Sequence, residues 1–154
     1  MTELRIAPDD LTHPAVLALI EHHLREAFAN SPPGSAFAFD LTGLRDPAVT
    51  LWSAWDGDAL AGIAALRRLS ASEGEVKSMR TAPGHERRGV ALALLERLIL
   101  EAKKRGFRVL KLETGTNDAY AAARALYERR GFRPCDPFGD YELTEFNRCY
   151  SLAI

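Results

Sequence analysis

Residues 75–91 constrain this chain more than any other part of it. Apolar and polar residues alternate over residues 75–81, which is typical of a strand, and Pro83-Gly84 ends the alternation. A polar loop follows, and from Val90 onward apolar residues recur at helical spacing. The sequence therefore predicts a strand, a basic glycine-containing turn and a helix in direct succession.

The turn between this strand and helix suits a phosphate group. Gly89 stands at the helix entrance, where a missing side chain lets main-chain N–H groups approach a ligand closely. The helix N-terminus carries a partial positive charge, and Arg87 and Arg88 add two full charges. We interpret the turn as a cradle for a pyrophosphate; the alternative is a solvated helix entrance, because many helices begin after a basic loop.

The rest of the chain predicts strands and helices in one continuous domain. The helical crossover between the strands at 75–81 and 107–112 makes those two strands parallel neighbours in an otherwise antiparallel sheet. The other predicted elements are a strand at 4–7, a helix at 14–30 capped from within 9–12, a loop or short helix at 36–47, a hairpin at 50–69 turning at 56–58, a turn at 73–74, a polar loop at 113–118, a helix at 119–130, a short strand after Phe132 and a last strand at 148–152.

Composition narrows the class of partner and compartment. Twenty basic and twenty-one acidic residues give a net charge of −1, so no overall field draws the chain to nucleic acid or to an anionic membrane. Charges interrupt the N-terminal apolar run, and no signal peptide or membrane span is predicted. Cys135 and Cys149 are expected to be reduced thiols of a cytoplasmic protein, and the four histidines lack metal-ligand spacing.

Two motifs in the expected order resemble the GNAT superfamily of acyl-CoA-dependent N-acetyltransferases. The first is Arg-Arg-Gly-Val-Ala at residues 87–91, and the second, residues 123–132, is similar to the family's late A-x-x-L-Y-x-x-x-G-F segment. Residues 77–81, 112–115 and 31–33 resemble a YsnE-like bacterial subgroup. The resemblance implies an α/β (α+β) fold over residues 1–154: one domain, a mixed and mostly antiparallel sheet of about seven strands, helices on both faces, and splayed central strands.

The same resemblance implies acetyl-CoA as co-substrate, entering between the splayed strands. Main-chain groups at Met79 and Thr81 would hold the pantetheine arm, and the amides of residues 87–92 would bind the pyrophosphate. The cofactor-binding residues predicted in this way are Met79, Arg80, Thr81, Arg87, Arg88, Gly89, Val90, Ala91, Leu92, Asn117 and Tyr127.

The chain departs from the family pattern at two places. Glu86 replaces the glutamine or arginine that usually opens the turn, which puts a negative charge near the phosphates unless its side chain points elsewhere. Tyr120 stands where the late motif often has an asparagine, and Asn117 lies about one helical turn earlier. The expected cofactor contact of Asn117 rests on that shifted position.

Acetyl transfer to an amine requires a group that removes a proton from the nucleophile and a donor for the leaving thiolate. Tyr127 matches the family tyrosine placed near the cofactor sulfur. Glu75 matches the glutamate base of some members, with an exposed carboxylate at a strand start as the alternative interpretation. Glu113, at the end of the neighbouring strand, is the rival base. Arg80 either neutralises a substrate carboxylate or forms a surface ion pair.

The function that the resemblance implies is direct transfer of an acetyl group from acetyl-CoA to the amine of a small molecule or peptide. The alternative is a non-catalytic acyl-CoA-binding regulatory module with the same fold, and release of free thiol with some amine separates the two. A nucleotide-phosphate binder fits less well, because the turn lacks the Lys-Ser/Thr pair of a Walker motif. Nucleic acid and membrane partners are not expected, and a homodimer is an open possibility.

Overall fold

A computed structural model describes residues 3–31 and 40–154, so part of the predicted loop at 36–47, including Phe37 and Phe39, lies outside the described residues. The helices and strands, in chain order, are β1 (Arg5–Pro8), α1 (Pro14–Ala29), α2 (Leu41–Leu44), β2 (Val49–Asp56), β3 (Ala59–Arg68), β4 (Glu73–Thr81), α3 (Val90–Lys104), β5 (Val109–Gly115), α4 (Ala121–Arg130), β6 (Arg133–Cys135) and β7 (Asn147–Ala153). A short 3₁₀ turn (Asp118–Tyr120) leads into α4.

The strands form one seven-stranded sheet in the order β1-β2-β3-β4-β5-β7-β6. Only β4 and β5 run parallel, as the helical crossover through α3 predicts. They pair over just Glu73–Glu75 against Val109–Lys111, although β4 continues to Thr81 and β5 to Gly115. Beyond those three residue pairs the two strands diverge, which confirms the predicted splay in the centre of the sheet.

Helices cover both faces of the sheet. On one face α3 and α4 bury side chains such as Leu94, Leu98 and Tyr127 against the sheet, and on the other α1 buries Ile20 and its neighbours. Fully burying one leucine or isoleucine side chain contributes roughly 1.5–3 kcal/mol, so these two cores hold the helices in place. We refer below to the α3/α4 face and the α1 face.

An irregularity in β4 changes which side chains share a face. Ile63 of β3 pairs with Arg80, but Ala65 pairs with Lys77, so two steps along β3 match three along β4. Ser78, with a φ of 54°, is the residue at this bulge. Side chains of a regular strand alternate between faces, and one extra residue reverses the alternation. The bulge therefore turns Arg80 onto the α1 face, the same face as Lys77.

Gly74 serves packing rather than the predicted turn. Glu73 and Gly74 already belong to β4, and the turn lies before them, where the main-chain N–H of Leu69 donates to the carbonyl oxygen of Glu73 at 2.9 Å. A Cβ on Gly74 would lie 2.8 Å from the ring of Phe107, so a side chain there would collide with the core. The prediction of a turn at 73–74 was wrong because close packing and turn geometry both favour glycine.

Two other element boundaries also differ from prediction. Residues 113–115 extend β5 instead of forming a loop, because they pair with β7 from the far end of the chain. His13 caps α1 in place of residues 9–12: its Nδ1 accepts a hydrogen bond from the main-chain N–H of Ala15 at 3.0 Å.

Three observations concern the cysteines, metal binding and membrane spans considered from the composition. Cys135 and Cys149 lie opposite each other on β6 and β7 and both are free thiols. Within residues 3–31 and 40–154, no cluster of His, Cys, Asp and Glu side chains could hold a metal ion. Nor does any helix in those ranges have the length and apolar content needed to cross a bilayer.

Candidate active site

The gap between β4 and β5 opens into a groove with a volume of about 860 Å³. Residues of α1, β4, the turn before α3, the end of β5 and α4 line it. The predicted site residues among the lining are Met79, Arg80, Thr81, Arg87, Gly89, Val90, Ala91, Leu92, Glu113 and Tyr127. Three others lie outside it, namely Glu75, Arg88 and Asn117.

The turn before α3 presents main-chain donors to one end of the groove. Gly89 caps α3 with a φ of 81°, and Arg87 has a φ of 60°, so both adopt the left-handed conformation. No side chain caps the first turn of α3, which leaves its N–H groups for a ligand. This arrangement can bind an anion, as glycine-containing helix entrances do.

Glu86 also lines the groove, beside the turn that carries these donors. Its Oε2 accepts a hydrogen bond from the main-chain N–H of Gly84 at 2.9 Å, so the carboxylate folds back onto its own turn. Hydrogen bonds from its own main-chain N–H and from that of Gly84 hold the pKa of Glu86 below its usual value. The Glu86 side chain is thus held by its own turn, and its negative charge stays at the groove lining.

The free edge of β4 faces the gap. The main-chain N–H of Ala82 donates to the carbonyl oxygen of Ala61 on β3 at 2.7 Å. Main-chain groups alternate between the two edges of a strand, so those of Thr81 and Met79 point the other way, where β5 has moved off. An extended ligand in the gap would find these groups as partners.

Tyr127 reaches the groove from α4. Its side chain is 6% exposed and packs edge-on against Phe132, with ring centroids 5.7 Å apart. Burial raises the pKa of Tyr127 to about 12, against the opposing effect of the nearby Arg80 charge. The hydroxyl has no hydrogen-bond partner among the described residues. With a pKa of about 12, the Tyr127 hydroxyl is protonated at neutral pH and can donate a hydrogen bond.

Glu113 also lines the groove and keeps part of its surface exposed. Burial raises the pKa of this carboxyl group to about 6, although a hydrogen bond from Asn147 and the charge of Lys77 act in the opposite direction. The Asn147 amide donates to Glu113 Oε2 at 3.3 Å and is itself held by the carbonyl oxygen of Glu142. A carboxylate with this pKa can exchange a proton near neutral pH.

Glu75 has a different environment, and its interpretation as an exposed strand-start carboxylate was wrong. It is 1% exposed, and its Oε2 accepts a hydrogen bond of 2.6 Å from the Tyr141 hydroxyl. The ammonium nitrogen of Lys77 lies 3.6 Å from the same oxygen, and a guanidinium nitrogen of Arg67 lies 3.5 Å from Oε1. Burial, followed by the negative charge of Glu75 and the hydrogen bond to it, raises the pKa of Tyr141 well above its usual value. Glu75 thus sits inside an ionic cluster.

Arg80 extends from β4 to α1. Its Nε donates to His23 Nδ1 at 2.9 Å. Burial, followed by the charges of Arg80 and Lys77, lowers the pKa of His23 to about 3, so this imidazole is neutral and can accept the hydrogen bond. Of the two alternatives for Arg80, the surface ion pair does not occur among the described residues, in which no carboxylate pairs with it.

The predicted cofactor contact of Asn117 has no support in its surroundings. Its side-chain amide donates to the main-chain carbonyl of Asn30, which lines the groove, but Asn117 itself does not. Tyr120 takes the inner position instead: its ring packs on Gly115, where a Cβ would collide with it, and its hydroxyl lies 3.4 Å from Ser31 Oγ.

Sequence patterns missed four residues of this region: His23, Lys77, Tyr141 and Asn147. The last two approach the site only because β7 pairs with β5, and no local motif announces that pairing. The adjacent histidines of α1 gave a signal, but they were considered only as metal ligands.

Known proteins are similar to this chain over most of its length. The profile of the Acetyltransferase (GNAT) family matches residues 16–132. The uncharacterized N-acetyltransferase YedL of Escherichia coli K12 is 48% identical over 97% of this chain and 94% of its own length. The uncharacterized N-acetyltransferase YsnE of Bacillus subtilis is 49% identical over 90% of this chain and 91% of its own length.

Solved structures share the fold. A candidate acyl-CoA N-acyltransferase from Klebsiella pneumoniae superposes with a TM-score of 0.80 at 24% identity, covering 97% of both chains. A Bacillus subtilis acetyltransferase in complex with CoA superposes with a TM-score of 0.68 at 20% identity, covering 99% of both chains.

Proposed function

Because the chain belongs to the GNAT family of acetyltransferases, we propose that it moves an acetyl group from acetyl-CoA to an amine with Glu113 as base and Tyr127 as donor to the sulfur. The observation that carries this proposal is the single groove through the β4–β5 gap. It joins a phosphate-binding turn at one end to a carboxyl group with a pKa of about 6 and a protonated phenol.

Two regions would share the binding of acetyl-CoA: the turn before α3 and the free edge of β4. The N–H groups at the start of α3, with Arg87 beside them, would bind the pyrophosphate. Main-chain groups of Met79 and Thr81 would pair with the pantetheine arm as an added strand does. Arg88 lies outside the groove lining, so its charge acts on the phosphates from a distance.

The reaction follows from the proton affinities of the two side chains. Glu113 accepts a proton from the ammonium form of the acceptor, and the nitrogen lone pair then attacks the thioester carbonyl carbon. An N–C bond forms and the C–S bond breaks, while the second proton of the nitrogen passes to the sulfur, directly or through the Tyr127 hydroxyl. A phenol with a raised pKa donates a hydrogen bond to the developing thiolate more readily than it loses its proton outright.

The structure favours Glu113 over Glu75 as the base. Glu113 lines the groove. Glu75 lies outside it, and its oxygens accept a hydrogen bond from Tyr141 and form ion pairs with Lys77 and Arg67. A base must come within hydrogen-bond reach of the proton it removes, and Glu113 has the more direct access.

A thiol-release assay with a panel of small-molecule and peptide amines tests the proposal. Wild-type protein should release free CoA thiol with at least one amine, and Glu113→Gln should lower kcat by about 10²- to 10⁴-fold. Tyr127→Phe should lower kcat while leaving the dissociation constant of acetyl-CoA unchanged. Normal turnover in Glu113→Gln would remove Glu113 as the base, and a collapse in Glu75→Gln that is still folded by circular dichroism would move the role to Glu75.

The alternative of a non-catalytic acyl-CoA-binding module makes a different prediction. Isothermal titration would then show acetyl-CoA binding, but no amine in the panel would release thiol. The open carboxylate and phenol in the same groove support the enzyme.

A further inference from the structure

We propose that the acceptor amine carries a carboxylate, as a free amino acid does, and that Arg80 is the specificity residue that binds it. This inference rests on the proposed acetyl transfer and names the chemical class of its acceptor. It starts from the position of one guanidinium group on the α1 face of the splayed strands.

The bulge in β4 separates Arg80 from the predicted cofactor side of the gap. Ala82, which directly follows β4, packs into the core on the α1 face, and the Arg80 side chain contacts His23 of α1. Met79 instead packs with the core of the α3/α4 face. The phosphate-binding turn opens α3, so the cofactor phosphates and the Arg80 guanidinium belong to different sides of the sheet.

Arg80 has no ion-pair partner within residues 3–31 and 40–154. It lines the groove and is partly buried, and no described carboxylate forms an ion pair with it. The eight residues 32–39 include no acidic side chain. A partly buried cation without an anion is costly, and a bound anionic group would remove that cost.

His23 fixes the direction of this cation. Its Nδ1 accepts from Arg80 Nε, which leaves the two terminal nitrogens of the guanidinium for a ligand. A planar guanidinium offers parallel N–H donors that match the two oxygens of a carboxylate. His23 is uncharged in this environment, so it positions the arginine without competing for the anion.

The surrounding charges fit a ligand with both signs. On the α1 face the basic side chains Arg67, Lys77 and Arg80 lie near the carboxylates Glu75 and Glu113. Glu26 of α1 is a third carboxylate that lines the groove, and its Oε2 accepts a hydrogen bond from the Asn30 side chain. Glu75 is already paired with basic groups, and this leaves Glu113 to meet an ammonium group and Arg80 to meet an anion. An amine without an anionic group would leave Arg80 unmatched in the complex.

Matched acceptor pairs test the inference. Each standard amino acid and its carboxamide are compared in the thiol-release assay with wild type, Arg80→Gln and Arg25→Gln. Arg25 is a control because it lies two residues after His23 on α1 with a side chain that is 65% exposed. Wild type should prefer the best amino acid over its amide by about 10- to 100-fold in kcat/KM.

Arg80→Gln should abolish this preference by raising KM for the amino acid, with little change for the amide. The affinity for acetyl-CoA, measured by titration, should stay within about twofold, and Arg25→Gln should behave as wild type. His23→Leu should weaken the preference through KM, and His23→Gln, whose amide oxygen can accept from Nε, should restore part of it.

Two outcomes would overturn the inference. Equal turnover of amino acids and amides by wild type would show that no carboxylate is read. A loss of acetyl-CoA affinity in Arg80→Gln would place the arginine on the cofactor. If no amine releases thiol, the proposed acetyl transfer fails, and titration of amino acids into the CoA complex of wild type and Arg80→Gln then decides the carboxylate contact alone.

Discussion

At the scale of single residues, two carboxylates on neighbouring strands show how surroundings assign different tasks to the same chemical group. Glu113 reaches the groove and has a raised pKa, whereas Glu75 is sealed among basic side chains and a phenol. The sequence offered both as a base and could not separate them, because the separating contacts come from Tyr141 and Asn147 in distant segments. Tyr127 was predictable, since its motif is local.

The raised pKa of Glu113 predicts a pH dependence of acetyl transfer. The base acts as a carboxylate, and the folded-state pKa is about 6, so the rate should fall as pH decreases through 6 and level off above it. Initial rates at saturating acetyl-CoA between pH 5 and 8 provide the measurement. The residual activity of Glu113→Gln should lack this step, and a step that survives in the variant would assign the pKa to another group.

Glu75 should matter for stability more than for chemistry. Replacing it with glutamine leaves Lys77 and Arg67 without their shared carboxylate, and breaking a buried ion pair from one side costs about 3–5 kcal/mol. Urea unfolding should show a loss of this order. Glu96→Gln is the control, because its exposed pair with Arg130 should be worth less than about 1 kcal/mol. A similar small loss in both variants would contradict the role of the cluster.

At the scale of elements, α3 and its turn were predictable and the strand ends were not. The period of the apolar residues and Gly106, which has a φ of 82°, define α3 within its own segment. The end of β5 depends on pairing with β7, and the bulge in β4 depends on pairing with β3. Pairing between distant strands leaves little trace in the local order of residues.

The bulge predicts an unusual mutational pattern at Ser78. This residue has a φ of 54° and is 9% exposed, and its hydroxyl has no hydrogen-bond partner in the described part of the chain. Ser78→Gly should change the free energy of unfolding by less than about 1 kcal/mol, because glycine tolerates this conformation. Ser78→Val should lose about 2 kcal/mol or more, because a β-branched residue is strained there.

Thermal or urea unfolding measures both variants. Ser72→Val, in the exposed turn before β4, is the matched control and should be nearly neutral. If Ser78→Val were as stable as wild type, the left-handed conformation assigned to the bulge would be wrong.

At the scale of the whole molecule, the sheet consists of a four-stranded part and a three-stranded part joined by three residue pairs. The order of elements predicted that β4 and β5 run parallel, since they are joined by a crossover helix, and the resemblance to the family predicted that they splay apart. How far the strands separate could not be predicted, because the extent of pairing is a property of both strands together.

This architecture predicts where acetyl-CoA slows hydrogen exchange. Amides of Met79 and Thr81 should exchange at least about tenfold more slowly in the complex, because a ligand in the gap would pair with the free edge of β4. Amides in the centre of the β2–β3 hairpin serve as the internal control and should change less. Uniform slowing across the sheet would indicate general stabilisation without insertion between the strands.

The three-pair junction also links the survival of this protein to its co-substrate. A ligand that binds between β4 and β5 stabilises the folded chain by about 2.7 kcal/mol when its free concentration is one hundred times its dissociation constant. Proteases cleave transiently unfolded forms of a protein. A cell with little acetyl-CoA would therefore degrade this enzyme faster than a cell with abundant acetyl-CoA. The nutritional state of the cell would then set the abundance of the catalyst as well as its rate.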